Sequence, residues 1–140
     1  MSPGDLKRFA PFAEFNESEG ELLEELLERR LLVAGEVAFT EGDEADGLVL
    51  VESGELAIES SRAGELGRVG PGRHFGGLSL ASLGRRELSL TATQPSTLLL
   101  LPRSSFLRLS EDAPRAATRL LEALLRDIGS SLRNGLDWLV

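Results

Sequence analysis

Cysteine is absent from the 140-residue chain, which excludes disulfides, thiolate metal sites and cysteine nucleophiles. Histidine occurs once, at His74, and one imidazole does not make a metal site. The acidic stretch Asp43, Glu44 and Asp46 lacks the ligand spacing of a calcium loop, so no metal is expected. No N-terminal apolar stretch looks like a signal peptide. The longest apolar runs, such as Leu98 to Leu101, are far too short to span a bilayer. The sequence therefore predicts no membrane partner and a cytoplasmic location. Basic charge is also scarce: 15 Lys and Arg stand against 23 Asp and Glu, a net charge of -8. Duplex-binding domains carry a basic stripe. Here Arg29-Arg30 and Arg85-Arg86 are isolated pairs, which argues against nucleic acid as a partner. The P-loop lysine motif, the zincin motif and G-x-S-x-G are all missing. The chain reads as non-enzymatic, with no catalytic residues and no cofactor.

What is present is enough apolar content, 41%, to build a core, and a length that fits one domain over residues 1–140. The pattern divides that domain into three parts. Residues 1–30 read as an N-terminal helical segment. Asn16 and Ser18 are helix-start residues, Ser18 with Glu21 forms a capping box, and Leu22, Leu23, Leu26 and Leu27 recur at helical spacing. A helix is predicted near Ser18–Arg29, anchored by Phe9, Phe12 and Phe15. Residues 31–102 are punctuated by glycine, with eleven of the chain's 15 between Gly35 and Gly84. Short apolar runs alternate with turns such as Glu41-Gly42-Asp43 and Glu52-Ser53-Gly54-Glu55. This predicts about eight short strands between Leu31 and Leu101. Leu48 to Val51 and Leu98 to Leu101 read as buried on both faces.

Residues 103–140 are helical again. Ser104-Ser105-Phe106-Leu107 reads as a short helix, and Pro114 suits the first turn of a longer one reaching Leu136. Leu121, Leu125, Ile128, Leu132 and Leu139 follow coiled-coil spacing. They form a candidate homodimer interface, or a surface for a protein partner that the sequence does not identify. Leu120 and Leu124 widen the stripe, so that one side packs inward while the other meets a partner. The fold class is mainly β with flanking helices, a jelly-roll-like β-roll ending in a long C-terminal helix.

The stretch from Ala34 to Leu56, with Ala34-Gly35-Glu36, then Phe39-Thr40-Glu41-Gly42-Asp43-Glu44-Ala45-Asp46 and Ser53-Gly54, resembles the first half of a cyclic-nucleotide-binding domain. Val69-Gly70-Pro71-Gly72 and Phe75-Gly76 resemble the approach to that family's phosphate-binding cassette, over residues 75–92. Ser104-Ser105-Phe106 resembles the turn after its last strand. Many weak matches in the right order, from about Pro11 to Arg133, carry the resemblance. It implies a regulatory module whose ligand is cAMP or cGMP. Gly76 and Gly77 free the backbone for close approach. A short helix over Gly77 to Leu83 would turn its N–H groups toward a phosphate.

In the family a glutamate of the cassette holds the ribose hydroxyl and an arginine pairs with the cyclic phosphate. The resemblance implies a site of Phe75, Gly76, Gly77, Leu78, Ser79, Arg86, Glu87 and Leu88, with Arg86 as the phosphate's partner. Gly77 stands where the family has its glutamate. Losing a hydrogen bond to a charged group removes roughly 1.5–3 kcal/mol, about tenfold to a hundredfold in affinity. Glu87 follows the arginine where the family has a small residue. It either ion-pairs with Arg85 or Arg86 and neutralises an empty site, or faces the base and accepts hydrogen bonds from guanine. Leu88 is larger than the family's alanine and crowds the pocket. Ser131 lies about where dimeric bacterial regulators carry a base-contacting hydroxyl. A degenerate domain that keeps the roll as a dimerisation or protein-interaction module is the rival expectation.

Overall fold

The computed structural model describes residues 3–81 and 84–137. The chain groups into two compact units: residues up to Glu25 together with those from Arg108 onward, and Leu26–Leu107.

The second unit holds ten strands: β1 (Glu28–Leu32), β2 (Val37–Phe39), β3 (Glu44–Ala45), β4 (Leu48–Ser53), β5 (Leu56–Ser60), β6 (Gly64–Val69), β7 (His74–Phe75), β8 (Gly84–Arg85), β9 (Ser89–Ala92) and β10 (Ser96–Leu101). They pair antiparallel in two four-stranded sheets, ordered β1-β10-β4-β7 and β2-β9-β5-β6, with a small β3-β8 ladder beside them. The expected mainly β roll with flanking helices is what forms. The strand number exceeds the expected eight because β3, β7 and β8 are two-residue ladders, too short to leave an alternating pattern.

The core lies between residues of both sheets. Leu32, Val49, Val51 and Leu98 meet Ala38, Leu56, Leu90 and Ala92 in one buried cluster. Alternate positions of a strand face opposite sides, yet Leu48, Val49, Leu50 and Val51 are all fully buried. β4 is therefore enclosed on both faces, as its unbroken apolar run predicts. Each such side chain contributes about 1.5–3 kcal/mol on leaving water. Between β4 and β5 the chain reverses at Gly54, whose φ of 89° disfavours any side chain. A Cβ there would also run into Ser96. Buried Ser96 holds the same turn, its Oγ accepting from the Glu55 N–H at 3.0 Å and donating to the Gln94 carbonyl at 2.8 Å.

β1 corrects a helix expected to run to Arg29. The first helix, α1, spans Glu17–Leu26, and Glu28, Arg29 and Arg30 pair instead with Leu100, Leu99 and Leu98 of β10. Glutamate and arginine favour helix locally, but a free edge beside β10 outweighs that preference. The start of α1 also differs. Asn16, not Ser18, makes the capping box: the Glu19 N–H donates to Asn16 Oδ1 at 2.8 Å, and the Asn16 N–H donates to Glu19 Oε1 at 2.9 Å.

Helix α2 spans Arg103–Asp112 and α3 spans Pro114–Asp137; α2 is longer than the short helix expected around Ser104–Leu107. In the helical unit the 3-10 turn Ala10–Phe12 packs against α3, and Phe9, Phe12 and Phe15 are buried. Glu19 of α1 forms an ion pair with Arg119 of α3. Ala116, Ala117, Leu120 and Leu124 make the buried stripe of α3. Leu121 and Ile128 are half-buried, while Leu125 and Leu132 are 64% and 63% exposed. Leu139 and Trp138 lie outside the described residues. No described helix is long and apolar enough to cross a membrane.

Candidate functional site

Three short elements of the β-roll unit converge on one cavity of about 280 Å³. β7 is fixed by its register on β4, with Val49 opposite Phe75. Immediately after it, Gly76 adopts the left-handed conformation and opens a 3-10 turn, Gly77–Leu80. β8 is fixed by its register on β3, with Glu44 opposite Arg85. Arg86 comes next. Its backbone is clamped on both sides: its N–H donates to the Asp43 carbonyl at 2.7 Å and its carbonyl accepts from the Gly42 N–H at 2.8 Å.

The Arg86 side chain is the unusual feature. It is only 9% exposed, and its Nε is buried without a hydrogen-bond partner. Burial pushes the guanidinium's pKa down from its ordinary value, while the Asp46 carboxylate opposes that shift. The guanidinium carbon sits 4.5 Å from the centroid of the Phe39 ring, a cation–π geometry. The Phe39 ring meets Phe75 edge-on, at 6.0 Å between centroids. Gly76 is required here for space as well as conformation, since a Cβ would lie 2.8 Å from Arg86 Nη1 and 2.9 Å from the Gly47 carbonyl. Asp46 also accepts from the Arg103 N–H at 3.0 Å at the start of α2, and Arg103 Nε donates to the Leu80 carbonyl at 3.2 Å. The 3-10 turn is thereby tied to α2.

Residues 29–113 match the family described as the cyclic nucleotide-binding domain. The chain belongs to that family. Among its relatives is the cyclic AMP receptor protein of Thermus thermophilus, 35% identical over 71% of this chain and 48% of the relative. The cAMP-dependent protein kinase regulatory subunit of Yarrowia lipolytica is 33% identical over 79% of this chain and 31% of its own length. The chain thus spans about half or less of these relatives. In structure it resembles the N-terminal domain of a transcriptional regulator from Streptomyces coelicolor, with a TM-score of 0.80 at 30% identity, covering 91% of this chain and 94% of that one.

Within this cyclic nucleotide-binding domain, the residues expected at the site are not all brought together. Phe75, Gly76, Ser79, Arg86, Glu87 and Leu88 line the cavity. Gly77 and Leu78 do not line it, and Leu78 is 66% exposed. The turn over these residues is shorter than the helix expected to Leu83, whose last two residues lie outside the described ones. Ser131 is an exposed residue of α3, in the helical unit. Glu87 is exposed and Leu88 half-buried, and no ion pair joins Glu87 to an arginine among the described residues. Sequence reasoning missed Ala45, Ile58, Val69 and Arg85, which also line the cavity, and Phe39 beneath the guanidinium. Ile58 and Val69 were recognisable as inward positions, but their nearness to Arg86 comes from the β5-β6 hairpin and the pairing of β5 with β9. Among the described residues no cluster of three metal-ligating side chains occurs.

Proposed function

We propose that the cavity binds the phosphodiester of a cyclic nucleotide, cAMP or cGMP, with Arg86 as its partner. The observation that carries this reading is the buried Arg86 side chain, its Nε without a hydrogen-bond partner, in the wall of an open cavity. A buried donor left unsatisfied costs about 1–3 kcal/mol, more when charged, and an anion in the cavity removes that cost. A guanidinium also offers a planar fork of donors suited to phosphate oxygens. Two features that would have favoured a closed, ligand-free site are not found: Glu87 does not lock Arg86, and Leu88 lines the cavity without filling it.

On this reading the chain is a non-enzymatic regulatory module of the cytoplasm. Ligand at the 3-10 turn biases α2 through the Arg103–Leu80 link, and the output is a change in α3 contacts. The face of α3 carrying Leu121, Leu125, Ile128 and Leu132 pairs with a second copy. A rival reading, a degenerate domain used for protein interaction, draws on Gly77, which has no carboxylate to offer a ribose. Isothermal calorimetry of the chain with cAMP and with cGMP separates the two. Micromolar binding abolished by Arg86→Ala supports the proposal. Heats indistinguishable from dilution up to about 1 mM of either nucleotide, an affinity weaker than about −4 kcal/mol, would refute it.

A further inference from the structure

The cavity wall is apolar over most of its surface, formed by Ala45, Ile58, Val69, Phe75, Leu88 and Leu90. Its charged groups differ sharply in setting. Glu87 is exposed to solvent. Arg85 is exposed as well, and its Nη1 already donates to the Gly42 carbonyl at 2.8 Å. Arg86 alone is buried with an unpartnered nitrogen. Beyond these charges the only polar side chain in the wall, among the described residues, is Ser79.

From this composition we infer that the cavity recognises one singly charged anionic group attached to an apolar or aromatic body, and does not read a ribose hydroxyl. The inference rests on Arg86 as the anion's partner. Sites built to read a hydroxyl hold a buried group that is left unpaired when the hydroxyl is missing, and they discriminate by orders of magnitude. Among the described residues no buried carboxylate or side-chain amide lines the wall, and Gly77 brings no side chain to it. Only one guanidinium of the described wall is buried, and the Asp46 carboxylate already acts on it, so the site suits the single charge of a phosphodiester better than a doubly charged phosphate. The apolar wall then rewards burial of the ligand's body in proportion to its area.

Calorimetry with four probes tests this: cAMP, 2′-deoxy-cAMP, diphenyl phosphate and inorganic phosphate. Diphenyl phosphate keeps the phosphodiester charge and replaces sugar and base with two phenyl rings. The expected result is that cAMP and 2′-deoxy-cAMP bind within about threefold of one another, a comparison that needs no variant. Diphenyl phosphate is expected to bind and to lose its binding in Arg86→Met, while inorganic phosphate gives no heat. A 2′-deoxy-cAMP affinity weaker by about tenfold or more would overturn the inference and leave the phosphate role of Arg86 standing. If Ser79→Ala then erased that difference, Ser79 would be the acceptor that reads the hydroxyl, again contrary to the inference. Diphenyl phosphate binding while neither nucleotide binds would support the inference and overturn the nucleotide reading. Inorganic phosphate binding as tightly as diphenyl phosphate would overturn the role of the apolar wall. Silence from all four probes would overturn both proposals.

Discussion

Replacing Arg86 with methionine should make the ligand-free protein more stable while removing its ligand response. The arginine's burial leaves Nε without a hydrogen bond, a cost of about 1–3 kcal/mol for a buried unmade donor. Against this stands its contact with the Phe39 ring at 4.5 Å, which contributes about 0.5–2 kcal/mol. Methionine keeps an unbranched stem in the same space and places a thioether near the ring, recovering about 0.3–1.5 kcal/mol. The balance predicts a gain of about 1 kcal/mol, or about 3–4 °C in melting temperature for a chain of this length. Added cAMP should reverse the order. At a ligand concentration about a hundred times Kd, mass action raises the stability of wild type by about 2.7 kcal/mol and leaves Arg86→Met unmoved. Urea unfolding with and without cAMP measures both effects. A ligand-free Arg86→Met less stable than wild type by more than about 1 kcal/mol would show that Arg86 has a structural partnership, and the reasoning from its unsatisfied Nε would fail.

Gly77→Glu places a carboxylate on the 3-10 turn and should raise cAMP affinity by about tenfold with little gain for 2′-deoxy-cAMP; calorimetry giving equal gains for both would place the new carboxylate away from the sugar. The double variant Ile128→Asp, Leu132→Asp should convert the proposed dimer to monomer in sedimentation equilibrium, whereas an unchanged dimer would locate the interface elsewhere. Glu55 accepts from the Thr93 hydroxyl at 2.7 Å and from Arg68 at 3.0 Å, which together hold its carboxyl below the ordinary value, the threonine bond being the larger cause. Its folded pKa lies below the unfolded one, so its contribution is present above the unfolded pKa and is lost as pH falls through the folded pKa. Glu55→Gln should therefore flatten the loss of stability on acidification, and an acid limb identical to wild type in pH-dependent melts would refute this.

Much of the roll was legible because its signals are local. Leu48 to Val51 is apolar without interruption, and a strand enclosed on both faces needs that. Gly42 and Gly54 mark reversals that the backbone makes with positive φ. Pro114 opens α3, where a missing N–H costs nothing. The ends of elements were less legible. Glu28, Arg29 and Arg30 have helical propensity, and only the edge of β10 makes them a strand. Asn16 and Ser18 are equivalent as caps by residue type. The choice of Asn16 depends on where the incoming chain turns.

The same division holds at the site. The order of residues alone determined that an arginine follows the glycine-rich turn at family spacing, and that no carboxylate stands at Gly77. It determined the stripe of leucines along α3 too, through a spacing that any helix would display. Tertiary structure decided the rest. The β3-β8 ladder and the clamps from Gly42 and Asp43 fix the Arg86 backbone, and the glycine at position 76 leaves room for its guanidinium. Pairing of β5 with β6 and β9 brings Ile58, Val69 and Leu90 to the same wall. Turn chemistry and apolar periodicity act over a few residues and can be read in order along a chain. The environment of a single guanidinium is set by segments dozens of positions apart, and exists only once their strands have paired.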